Sequence, residues 1–187
     1  MRNIWSAKLI FRNFLNMLER LKNSIKEYPD FPKKGIIFKD ISPIIADPEL
    51  FYELTAKLSR YPFFRKTDAI IAIDARGFIF AGAVATIIKK PLILARKKNK
   101  LPGIVIEKSY GLEYGIDSLS MQERAILPFK KFVIVDDLLA TGGTAKCVSD
   151  MLKSKNKEVL ALSVIIELSF LKGANNLDFP VFSEVKY

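Results

Sequence analysis

The chain has 187 residues, 50% hydrophobic and 27% charged, which suits one soluble domain with a substantial core, and no apolar run reaches the ~18 residues of a membrane helix. Its formal net charge of +10 points to an anionic partner, but the basic residues are scattered from Arg2 to Lys186 in short pairs such as Lys33-Lys34 and Lys89-Lys90, which argues against nucleic acid. Histidine is absent and Cys147 is the only cysteine, so His or Cys metal clusters, disulfides and His-activated nucleophiles are excluded, and a reducing cytoplasm is the compartment this suits.

Ile4, Phe11, Leu18 and Ile25 recur every seven residues, with Ala7, Phe14 and Leu21 between them, and predict an amphipathic helix over residues 1–27. Two readings of it are open. Arg2, Lys8 and Arg12 without an early acidic partner fit a basic leader, whereas the continuation through Glu19 and Glu27 fits a helix packed on the domain or across a homodimer. Pro29 and Pro32 end the pattern. Gly35 to Asp40 reads as a short extended run and Ile41 to Ile45 as a turn or brief helix. Asp47-Pro48 then caps and opens a helix to about Arg60, with Leu50, Phe51, Leu54 and Leu58 on one face.

Asp68 to Asp74 (DAIIAID) is a buried strand, and Arg76-Gly77 stands where it turns into a helix from Phe78 to Ile88. A cation and a glycine at a strand's carboxyl end make an anion site or a plain tight turn; the residues alone leave both open. Pro91 to Arg96 is a third strand, Lys97 to Gly103 a charged solvated loop, and Glu107 to Tyr114 an extended arm against which Ile116 to Met121 pairs back. After the strand Phe132 to Val135 come Asp136-Asp137, the glycine turn Thr141 to Thr144, and a helix from Ala145 to about Ser154. Val159 to Glu167, a helical turn over Leu168 to Ala174, and Val181 to Val185 complete the chain. This alternation predicts a doubly wound α/β fold, a mostly parallel twisted sheet flanked by helices, as a single domain over residues 1–187.

The stretch from Lys131 to Ala145 (KFVIVDDLLATGGTA) carries the clearest chemistry. A helix start leaves backbone N–H groups unpaired, and glycines let a ligand come close, so a phosphate can be held without a cationic side chain. Thr141 and Thr144 add hydroxyl donors, and Asp136 and Asp137 are acceptors for vicinal sugar hydroxyls at the carboxyl end of a strand. Simple punctuation of an α/β fold is the other reading of the same features. A Walker-type nucleotide loop is excluded, because Lys146 comes two residues after Thr144.

VIVDDLLATGGTA resembles the phosphoribosyl pyrophosphate (PRPP) motif of type I phosphoribosyltransferases, and DDLLATGGT is similar to the adenine-specific branch of that family in particular. ARGF, at Ala75 to Phe78, resembles the family's pyrophosphate loop, GIIFKDISPIIADP its base-binding hood, and the basic loop with its returning arm its mobile flap. The resemblance implies a hood over residues 28–45, a flap over 97–121, and transfer of the 5-phosphoribosyl group of PRPP to adenine, giving AMP and pyrophosphate with Mg²⁺ in purine salvage.

Carried over residue by residue, it assigns the 5′-phosphate to Ala140, Thr141, Gly142, Gly143 and Thr144, and the ribose to Asp136 and Asp137. Pyrophosphate falls to Ala75, Arg76, Gly77, Arg96, Lys97, Lys100 and Tyr114, and the base to Ile37, Phe38, Lys39 and Leu168. Mg²⁺ is expected mainly on pyrophosphate, ribose and water. Arg76 and Glu113 are the catalytic candidates, Glu113 for the base's imidazole proton, although an isolated glutamate is commonly a surface residue. The resemblance also places a non-proline cis peptide between Ala75 and Arg76. Gly143 is expected to let the ligand approach closely, and a branched side chain there would block it and disfavour any left-handed conformation. Another purine as acceptor (xanthine, or hypoxanthine and guanine) and a PRPP-sensing regulator are the alternatives.

Overall fold

A computed structural model describes residues 16–112 and 115–187 of the chain, so Glu113, Tyr114 and the first half of the expected N-terminal helix lie outside the described residues. The chain forms two compact units, Met1–Lys57 and Leu58–Tyr187.

In the first unit, residues 16–24 are helical (α1), followed by strands Lys26–Pro29 (β1) and Ile37–Asp40 (β2) and by helices Ser42–Ala46 (α2) and Pro48–Leu58 (α3). The helix expected to reach residue 27 therefore stops earlier, and its last residues form a strand. Met17, Leu21 and Ile25 are the buried positions of the helical series. Beyond them Pro29 cannot continue a helix and biases Tyr28 towards extended backbone. β1 instead pairs antiparallel with β2, setting Glu27 opposite Lys39 and Tyr28 opposite Phe38. The connection contains a cis Phe31–Pro32 bond, and Asp30 and Gly35 at φ 58° and 88°. Asp47 Oδ1 accepts the Leu50 N–H at 3.0 Å, capping α3 as its sequence predicts. Arg20 of α1 reaches Asp47 at 3.3 Å and Glu53 at 3.2 Å.

The second unit opens with α4 (Pro62–Lys66), β3 (Ala69–Ile73), α5 (Gly77–Ile88) and β4 (Leu92–Lys97). A hairpin of β5 (Val105–Leu112) and β6 (Gly115–Gln122) leads through α6 (Glu123–Ile126) to β7 (Lys131–Val135), β8 (Leu138–Leu139), α7 (Gly143–Lys153) and β9 (Glu158–Glu167). Two 3-10 turns, Ser169–Leu171 and Gly173–Asn176, precede β10 (Val181–Lys186). The sheet runs β10-β9-β7-β3-β4-β6-β5, with β8 paired to β9. From β10 to β4 all neighbours are parallel; β4, β6 and β5 pair antiparallel. The mostly parallel, helix-flanked sheet expected from the sequence is thus present.

β3 and β7 read as unbroken apolar runs because both faces are covered. Ala69, Ile71, Ile73, Phe132 and Ile134 pack with Cys147, Val148, Met151 and Leu152 of α7. Ile70, Ala72, Val133 and Val135 alternate to the other face, and α5 packs against β3, β4 and β7. The chain leaves β3 towards β4 on one side and later returns to place β7 on the other. The carboxyl ends of β3 and β7 are therefore a topological switch point, where open α/β sheets bind ligands. Among the described residues no helix is long and apolar enough to cross a membrane.

At the opposite ends of these two strands, Asp68 Oδ2 accepts the N–H groups of Lys130 and Lys131, each at 2.9 Å. These bonds hold the Asp68 carboxyl below its ordinary range. Stability from a lowered pKa is present above the unfolded value, about 3.9, and is lost as pH falls through the folded one. We expect Asp68→Ala to lower stability by about 1 kcal/mol at pH 7, a modest figure because the carboxylate lies near solvent. Urea denaturation should show that deficit shrinking towards pH 3; an equal deficit at both pH values would assign the loss to packing instead.

Candidate active site

Two loops meet at the switch point. After β3, Asp74, Ala75 and Arg76 lead directly into α5, and the non-proline cis bond lies between Asp74 and Ala75, one residue earlier than expected. After β7, Asp136 and Asp137 lead through β8 to the turn at Ala140 to Gly142. Arg76, Asp136, Asp137 and Ala140 to Thr144 line one cavity of about 200 Å³, together with Leu138, Leu139, Ala145 and Leu162.

Arg76 Nη2 lies 2.7 Å from Asp137 Oδ2, which ties the two loops by charge. Asp136 Oδ1 accepts the Asp137 N–H at 2.8 Å. Gly77, the first residue of α5, sits so close to β7 that a Cβ there would stand 2.9 Å from both Asp136 Oδ1 and Val135 O. That glycine serves close packing of a helix onto a strand end, at ordinary φ. Burial and the neighbouring Asp137 charge push the Asp136 carboxyl well up, opposed by the Asp137 N–H. Burial also pushes up Asp137, with Arg76 opposing. Burial thus disfavours full ionisation of the pair, which hydroxyl donors or a further cation would favour.

The phosphate candidates form the start of α7. That helix begins at Gly143, two residues before the expected Ala145, so Gly143 and Thr144 lie in its first turn. The left-handed glycine of this turn is Gly142, at φ 85°. A Cβ on Gly142 would meet Gly173 O at 2.5 Å, and one on Gly173 would meet Ala140 O at 2.0 Å. Gly143 faces the hairpin, where a Cβ would stand 3.2 Å from Gly111 O. Tyr110 of β5 shares a hydrogen bond with Thr144, and burial pushes its phenol up.

The remaining candidates divide. Arg96 Nε donates to Asp74 Oδ2 at 3.1 Å, which fixes it beside the Asp74 to Arg76 loop. Lys97 turns to Asp117 at 3.1 Å within the hairpin sheet, and that hydrogen bond raises its pKa. Lys100 meets Arg96 through its backbone carbonyl, 3.4 Å from Nη1. The Leu168 N–H donates to Leu139 O at 2.9 Å, which holds Leu168 beside the β8 end of the phosphate turn. Ile37, Phe38 and Lys39 belong to the first unit. There Phe38 packs edge-on to Phe31 at 5.3 Å, Ile37 is exposed, and the Lys39 ammonium pairs with Glu27 across the β1-β2 ladder.

The sequence reading missed Asp74, Tyr110, Gly173 and the mini-strand β8. Only Asp74 carried a local signal, as a carboxylate at the end of an apolar run. The others act through contacts with segments far away in the chain.

Comparison with known proteins decides the family. The model of the phosphoribosyl transferase domain matches residues 48–178. An adenine phosphoribosyltransferase of Prochlorococcus marinus is 51% identical over 169 residues, 90% of this chain and 98% of that protein. The chain belongs to the phosphoribosyltransferase family, in its adenine phosphoribosyltransferase branch. Solved members of the branch have the same fold. The adenine phosphoribosyltransferase of Thermoanaerobacter pseudethanolicus is 41% identical with a TM-score of 0.87, covering 91% of this chain and 99% of that one. The Saccharomyces cerevisiae enzyme, solved with an imino-altritol bisphosphate and adenine, is 34% identical with a TM-score of 0.84, over 91% and 99%.

Among the described residues no three His, Cys, Asp or Glu side chains converge to hold a metal ion. Asp136 and Asp137 offer one acidic pair, in which Asp137 already contacts Arg76.

Because folding favours the protonated form of Asp136, its contribution is fully present below about pH 4 and becomes a loss as pH rises through the raised value. Asp136→Asn keeps the acceptor for the Asp137 N–H and removes that penalty. We expect a free protein that melts about 2–4 °C higher at pH 8, the shift of ~1 kcal/mol in a domain of this size, with a weaker affinity for PRPP. Calorimetric melting and PRPP titration check both halves; a variant that melts lower at pH 8 than the parent would contradict the account of the acidic pair.

Proposed function

We propose that this chain transfers the 5-phosphoribosyl group of PRPP to adenine, releasing AMP and pyrophosphate, as a cytoplasmic homodimer supplied with Mg²⁺ on its substrate. The observation that carries this is the meeting of Arg76, the acidic pair and the glycine turn around one cavity, in a chain half identical to adenine phosphoribosyltransferases. The lone thiol, buried and pushed up to about 11, fits a reducing compartment.

In this reading the 5′-phosphate lies against the N–H groups of Gly142 to Thr144, with the Thr141 and Thr144 hydroxyls beside it. The ribose hydroxyls donate to Asp136 and Asp137, which replaces the mutual repulsion of the two carboxylates by hydrogen bonds. As the bond from ribose C1 to pyrophosphate lengthens, the sugar gains positive charge, and the acidic pair stabilises it without moving. Arg76 and Arg96, positioned by Asp137 and Asp74, balance the charge of the departing pyrophosphate, with the lysines of the basic loop as further cations. Mg²⁺ on the substrate would supply further neutralisation of the pyrophosphate charge. Adenine forms its bond to C1 from the opposite face and loses its imidazole proton, a step assigned to Glu113.

Adenine presents an amine donor beside a ring-nitrogen acceptor, whereas hypoxanthine presents a carbonyl acceptor beside an N–H donor. One set of fixed backbone groups cannot satisfy both, and each mispaired buried group costs about 1–3 kcal/mol. We expect kcat/KM for adenine to exceed that for hypoxanthine and for guanine by at least about 10³ at saturating PRPP and Mg²⁺. Steady-state kinetics with the three bases tests this; equal efficiencies would remove the adenine assignment and leave the PRPP site in place.

A further inference from the structure

The phosphate turn has a brace that the motif itself does not contain. Asn176, at the end of the second 3-10 turn, donates from Nδ2 to the Thr141 carbonyl at 2.8 Å, across 35 residues of sequence. Its own turn is the one whose Gly173 interlocks with Gly142 and Ala140. The two contacts act on the same short backbone segment from one side, one by steric fit and one by a directed hydrogen bond.

Their consequence follows from peptide geometry. A trans peptide is planar, so the Thr141 carbonyl and the Gly142 N–H point in opposite directions from one rigid plate. Fixing that carbonyl on Asn176 fixes the direction of the Gly142 N–H. The Thr141–Gly142 bond is trans, and Gly142, at φ 85° and ψ −5°, turns the chain so that the following N–H groups at the head of α7 form a nest. No backbone carbonyl among the described residues accepts from Gly142, Gly143 or Thr144, which leaves these donors available to a ligand. Donation into the Thr141 carbonyl also polarises the same amide and strengthens its N–H as a donor.

We propose that Asn176 is a positioning residue for the PRPP 5′-phosphate, acting through the Thr141 carbonyl on the Gly142 N–H. It touches no reacting atom. The inference rests on the PRPP reading above, and its effect belongs to substrate binding, since the phosphate remains bound in the same way as the ribosyl bond breaks.

The test uses the full-length protein with three substitutions. Asn176→Ala removes the donor, Asn176→Asp keeps the shape but replaces the donor by acceptor oxygens, and Asn175→Ala alters the neighbouring exposed side chain of the same turn. Both Asn176 variants should raise KM for PRPP, and Kd for ribose 5-phosphate measured by calorimetry, by about tenfold, the ratio set by ~1.4 kcal/mol. Their kcat and KM for adenine should stay within about twofold, and Asn175→Ala should match the parent in every constant. An unchanged PRPP KM in Asn176→Ala would overturn the proposal, as would an equal rise in Asn175→Ala or a fall confined to kcat. A parent protein that does not turn over adenine with PRPP would instead overturn the PRPP reading itself, which separates the two failures.

Discussion

The left-handed backbone at Gly142 is the constraint on which this site depends. An L side chain at φ 85° is strained, and here it would also collide with the Gly173 carbonyl, so only glycine lets the chain turn from β8 into α7 at this point. That turn starts the helix at Gly143 and aims its unpaired N–H groups at the cavity. An anion bound at such a helix start needs no cationic partner. The 3-10 turn after β9 supplies the surface against which Gly142 is pressed. Its position is set in turn by β8, which pairs with the end of β9.

Sheet order explains why the electrostatic parts meet. β3 and β7 are parallel neighbours, so the residues that follow them emerge side by side, and the Arg76 to Asp137 contact at 2.7 Å closes the gap. Gly77 allows α5 to start directly against the end of β7, where a larger residue would push the helix away from Asp136. The cost is a pair of adjacent carboxylates held under a helix, both with pKa values raised by burial. Buried titratable groups with shifted pKa values are a usual pattern at functional sites.

Much of this was legible from the sequence, for local reasons. The apolar runs of β3 and β7, the Asp47-Pro48 cap and the strand, acidic pair, glycine turn and helix order are all written in adjacent residues. The sequence extends the N-terminal helix too far because the series that includes Leu18, Leu21 and Ile25 runs up to a strand without a glycine between them. Gly142 and Gly143 could not be told apart, since two adjacent glycines give no indication of which takes positive φ. Gly173 and Asn176 carried no signal at all: each matters through a contact with the Ala140 to Gly142 turn, more than thirty residues away. The cis bond lies one residue before the expected position because a motif fixes its neighbourhood and not its register.

The central claim is that backbone amides at the head of α7, and not lysine or arginine side chains, hold the sugar phosphate. Titration with ribose 5-phosphate, followed by the amide proton and nitrogen shifts of the ¹⁵N-labelled protein, tests it directly. The account predicts downfield amide proton shifts at Gly142, Gly143 and Thr144 that saturate together with a single dissociation constant. Saturable binding that leaves those three amides unmoved would contradict it.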